Sequence, residues 1–153
     1  MRTDYSHPQN GFVLLEALIA ILIFSMGILA IVGLQAASVQ ASTDARYRTE
    51  ASLLANQLIG QMWVSDKNSL ATNFSSAEGA DYLAWRGDVS APVAGTVIGT
   101  LPGAAANPPT VSIVATALPS GTSNQVTITI FWKAPSEPAD DPPHRYTTTA
   151  LII

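Results

Sequence analysis

The 153-residue chain carries 7 Lys and Arg against 11 Asp and Glu, a net charge of −4, and no cysteine. Its length sets a ceiling of one small domain, and an acidic balance without any Lys/Arg cluster lacks the electrostatic footprint of a nucleic-acid binder, so no nucleic-acid partner is predicted. Without thiols, disulfides, thiolate catalysis and thiolate metal sites are excluded.

The apolar residues, 48% of the chain, are concentrated near its start. From Phe12 to Leu34 Glu16 is the only charged residue, and the next one is Asp44. This run exceeds the roughly 20 residues that cross a bilayer as a helix. No proline falls between Pro8 and Pro92, and residues 12–64 are rich in Ala, Leu, Gln, Met and Glu. They predict one continuous helix from Phe12 to about Val64, roughly 80 Å long at 1.5 Å per residue, whose first half must protrude from a small domain. Past Leu34, Val39, Thr43, Tyr47, Ala51, Leu54, Leu58 and Met62 recur every three or four positions, with polar residues between them. This second half, residues 35–65, is amphipathic and suited to lie on a globular domain. Gly27 and Gly33 interrupt the apolar half. Each weakens the helix by about 1 kcal/mol relative to alanine, and their readings are close packing against a neighbouring helix or a segment able to stretch.

Residues 66–153 form the globular part. From 65 to 109, Ser, Ala, Gly, Asn and Pro dominate around apolar anchors at Phe74, Tyr82, Leu83, Trp85, Val97, Ile98 and Leu101. This predicts a loop-rich connection with a short helix and one weak strand. "TVSIVATAL" (110–118), "NQVTITIFWK" (124–133) and "RYTTTALII" (145–153) are rich in β-branched and aromatic residues and predict strands. Alternation puts Val126, Ile128, Ile130 and Trp132 on one face and Thr127, Thr129 and Phe131 on the other. "PSGTSN" (119–124) has hairpin-turn chemistry, and "APSEPADDPPH" (134–144) reads as an exposed loop. The expected fold class is α+β, an antiparallel sheet of three or more strands against the amphipathic half of the long helix.

Catalytic chemistry is scarce. The histidines are His7 and His144. A triad on His144 would need Asp140 or Asp141 and an activated serine, and no nucleophile elbow is present. Glu137, Asp140 and Asp141 lack the ligand spacing and turn glycine of a calcium loop and read as solvated charges. "RGD" at 86–88 reads as a loop with two charges. No enzyme, cofactor or metal is predicted.

Glu16 is the residue that asks for a partner, because a carboxylate inside an apolar run is costly and usually functional. Two ordinary readings are a secretory signal ending near "VQA" (39–41), for which the run is too long, and a plain anchor whose Glu16 snorkels to the cytoplasmic surface. A third follows from order: the polar leader "MRTDYSHPQN", then Gly11, Phe12, and a carboxylate four residues later. This order resembles the class III prepilin signal of type IV pilins and their relatives, in which a glycine precedes a phenylalanine and the mature chain has glutamate at its fifth position.

That resemblance implies a type IV pilin-like fold, with residues 1–11 as leader and 12–34 as the transmembrane and pilus-core half of the helix. It implies that prepilin peptidase cuts between Gly11 and Phe12 and N-methylates Phe12. Glu16 would meet the N-terminal ammonium of a neighbouring subunit. The leader departs from the family in having "PQNG", with only Arg2 upstream, where Lys or Arg is usual before the glycine. The run "LLEALIAILIFSMGILAIVGLQ" most resembles minor pilins of the PilV type. Major type IVa pilins commonly carry a proline where Gly33 stands, and usually a C-terminal disulfide that this chain cannot make. The implied role is a low-copy subunit of the priming and tip complex, supporting pilus assembly, adhesion and twitching motility. Its partners would be other minor pilins and the major pilin, and it would reside in the inner membrane, with its C-terminal domain periplasmic, before reaching the pilus. The alternatives are a type II secretion minor pseudopilin and, from another class, a single-pass membrane-anchored periplasmic binding module. The loops at 65–109 and 134–144 are the expected contact surface.

Overall fold

The computed structural model describes residues 10–118 and 121–153. Residues 1–9, most of the expected leader, and Pro119 and Ser120 of the expected hairpin connection lie outside the described residues. The order is helix α1 (Asn10–Val64), short helices α2 (Leu70–Phe74), α3 (Ala80–Arg86) and α4 (Val97–Thr100), then strands β1 (Thr110–Leu118), β2 (Gly121–Trp132) and β3 (His144–Ile152). The chain divides into two compact units, residues 1–43 and 44–153.

The first unit, where described, is the apolar part of α1. Its uninterrupted run without proline satisfies every interior backbone group locally, and Ser25, Ser42 and Thr43 return their hydroxyls to the carbonyls four residues back.

The second unit is α+β, with one hydrophobic core. Its sheet is antiparallel in the order β1-β2-β3. The period of two along β2 buries Val126, Ile128, Ile130 and Trp132, as the alternation predicts, and leaves Thr127, Thr129 and Phe131 partly exposed. Thr129 and Thr147, opposite each other on the outer face, share a hydroxyl contact at 3.2 Å. The α1 residues of this unit supply Ala51, Leu54, Ala55, Leu58 and Met62 to the same core, with Tyr47 packed at its margin. Val39, expected to share that stripe, is exposed: it belongs to the first unit.

Helix α1 ends on a cation. The Lys67 ammonium donates to the carbonyls of Met62, Trp63 and Ser65 at 3.2, 2.6 and 3.3 Å, satisfying acceptors that have no intrahelical donor and complementing the negative end of the dipole.

Between helix and sheet the structure differs from the expectation of one short helix and a weak strand. Three short helices occupy this region, and no strand does among the described residues. Phe74, Tyr82, Trp85, Val97, Ile98 and Leu101 are buried as anchors; Leu83, expected as another, is exposed. Tyr82 donates its hydroxyl to the Pro109 carbonyl at 2.6 Å, and burial pushes its phenol upward from the ordinary value. Gly121 to Asn124 belong to β2 rather than to a turn, because Leu118 pairs with Gly121 and continues the ladder to its end.

Candidate functional site

From Phe12 to Leu34 every large apolar side chain is more than two-fifths exposed, on all sides of the helix. Burying so many such groups is worth on the order of tens of kcal/mol, so water is not a stable surround for this segment. By length and composition it is able to cross a membrane. A helix apolar all round is satisfied by lipid or by other helices, and this is what the segment can do physically.

The expected site residues stand on that segment. Gly11 lies in the first turn of α1; Phe12 is 70% exposed and Glu16, one turn later, is also exposed. Among the described residues a Cβ at Gly27 or Gly33 would meet no atom within 4 Å, so neither glycine is required there by packing.

The second unit brings together a group that the sequence did not. Trp132 and His144 are directly opposed on β2 and β3, and their rings stack with centroids 5.7 Å apart and planes at 15°. Glu137, from the Pro-rich link, accepts from or donates to His144 Nε2 through Oε1 at 2.6 Å, while its Oε2 accepts the Ala134 amide at 3.1 Å. Its side chain is only 9% exposed, against 43% for His144. The His144 hydrogen bond holds the Glu137 carboxyl below its ordinary value; burial opposes this, and the Ala134 amide and the charges of His144 and Lys133 add to the lowering.

Lys133 fixes the same link by donating to the carbonyls of Ala139 and Asp141 at 2.6 and 2.7 Å. Asp140 and Asp141, considered as partners of His144 from the sequence, are exposed, and the carboxylate that reaches the histidine is Glu137. Asp44, three residues before Tyr47 on α1, completes the cluster: its carboxylate, that of Glu137 and the His144 imidazole each offer a ligand atom, all within 4.8 Å of one another. Positions 44 and 144 are too distant in sequence for any local signal to have joined them.

In "RGD" the two charges are occupied locally, Arg86 Nε donating to the Gly87 carbonyl and Asp88 accepting the Ser90 amide. No protein-family model, curated protein or solved structure matches the chain.

Proposed function

We propose that the chain is a minor pilin of a type IV pilus, a low-copy subunit of the priming and tip complex. The observation that carries this reading is the exposed apolar half of α1 with Glu16 as its single charge, following Gly11 and Phe12. The family resemblance supplies the rest. In this reading prepilin peptidase removes residues 1–11, Phe12 becomes the N-methylated terminus, and the apolar helix passes from the inner membrane into a bundle of helices from neighbouring minor and major pilins.

Glu16 then has a physical task. A carboxylate and an ammonium in low dielectric attract strongly, and each is expensive to leave alone. Their pairing between subunits selects the register of entry. Gly27 and Gly33, free of intrachain packing demands, allow either close approach of a neighbour or local stretching of the helix. The second unit displays the link 134–143 and the helices α2 to α4 for contacts at the pilus tip.

Mass spectrometry of the mature N-terminus tests the reading. N-methyl-Phe12 is expected. An intact Met1 would favour the anchored binding module, and a terminus near Ser42 would mean an ordinary signal peptide. Loss of piliation on deletion, with protein export unchanged, separates a pilin from a type II secretion pseudopilin.

A further inference from the structure

The three groups of the Asp44, Glu137 and His144 cluster come from a helix, a link and a strand, and neighbouring groups hold Glu137 and His144 in place. Trp132 lies flat against His144 and fixes the plane of its ring. The Ala134 amide holds one oxygen of Glu137 and leaves the other turned to the imidazole. Asp44 Oδ1 is fully buried, and among the described residues no donor reaches it. A buried carboxylate oxygen without a partner is costly, and it calls for a proton donor or a cation.

We propose that Asp44, Glu137 and His144 bind one divalent transition-metal ion of the zinc type. The donor set, one imidazole nitrogen and two carboxylate oxygens, suits a borderline ion; calcium and magnesium prefer all-oxygen shells. The spacing suits it as well. A tetrahedral ion with bonds of about 2.0–2.2 Å separates its ligand atoms by about 3.4 Å. The cluster brackets that figure, from 2.6 Å between His144 Nε2 and Glu137 Oε1 to at most 4.8 Å across the set. Small rotations that open the histidine-glutamate pair and draw in Asp44 admit the ion. Three protein ligands leave a fourth position for water or an anion, and Arg48 and Arg145, which line the cavity beside Asp44 and His144, favour an anionic occupant there. The metal would cross-link α1, the Pro-rich link and the edge strand β3, stiffening the link that the domain displays.

The full chain in detergent, stripped with chelator and titrated with zinc chloride against a chromophoric competitor, tests this. One zinc per chain is expected, with micromolar or tighter affinity, visible d–d bands on cobalt substitution, and a raised melting temperature of the second unit. Asp44→Asn and His144→Gln should each weaken binding at least about tenfold, while Asp140→Asn, at an exposed neighbour, should leave it unchanged. Near-UV circular dichroism establishes that each variant is folded, and should one fail to fold the other decides. No zinc uptake at tens of micromolar, uptake indifferent to both substitutions, or a preference for calcium over zinc would each overturn the assignment.

Discussion

The indole Nε1 of Trp85 donates to the main-chain carbonyl of Leu54 at 2.9 Å, a fully buried bond that ties α3 to the middle of the core-facing stretch of α1. Leu54 lies inside the helix, so its carbonyl is also an intrahelical acceptor and remains satisfied when the indole is removed. Trp85→Phe should therefore cost only about 1–2 kcal/mol, the bond plus a small cavity, whereas Trp85→Ala should cost about 3–5 kcal/mol. Urea midpoints followed by near-UV circular dichroism measure both. A neutral Trp85→Phe would mean that the bond contributes nothing.

Acid should loosen the Pro-rich link through Glu137. Its carboxyl titrates below the ordinary value of 4.5 in the folded chain, chiefly through the His144 hydrogen bond. Between the two values the unfolded chain binds more protons, so stability rises with pH. The contribution is present above 4.5 and is lost as pH falls through the lower folded value. Glu137→Gln should flatten this part of the stability profile, measured by urea midpoints from about pH 6 to about pH 3. An unchanged acid limb in the variant would remove Glu137 from the account.

Helical and strand periodicities made much of this fold legible. Ala51, Leu54, Leu58 and Met62 announce one buried face, and the alternation from Val126 to Trp132 announces another, because each run is long enough for its period to be counted. Helices α2, α3 and α4, of 5, 7 and 4 residues, are too short for that, and only their anchors could be read. The strand at Gly121 to Asn124 was hidden by turn-forming residues that ladder pairing with β1 overrides. At the cluster, Glu137 and His144 stood out as titratable groups, but Asp44 joins them only through tertiary packing.

Two positions share a positive φ with opposite consequences. Ala77 and Gly87 both have φ of 88°, a region that penalises any Cβ. At Gly87 a Cβ would also collide with the Thr96 side chain. Ala77→Gly should stabilise the second unit by about 0.5–1 kcal/mol, the relieved strain exceeding the entropy added to the unfolded chain. Gly87→Ala should destabilise it by about 2 kcal/mol or more. Thermal melts of the two variants should move in opposite directions, and movement in the same direction would remove backbone strain as their common cause.

On the proposed pilin reading, assembly should separate from folding at Glu16. Glu16 belongs to the first unit and is not among the core residues of the second, so Glu16→Ala is expected to leave the melting temperature of the second unit unchanged. If Glu16 pairs with a neighbouring ammonium, its loss leaves that charge unpaired in an apolar bundle. A penalty of even about 1.4 kcal/mol lowers incorporation about tenfold. Quantifying the variant in sheared pili against the cellular pool reads this directly. Gly27→Ala and Gly33→Ala provide the contrast: each should strengthen the isolated helix by about 1 kcal/mol, since a methyl group at either position meets open space. Reduced recovery of these variants in pili despite a stronger helix would show that close approach or stretching is what the glycines provide. Normal recovery of Glu16→Ala would sink the pairing argument whatever the glycine variants do.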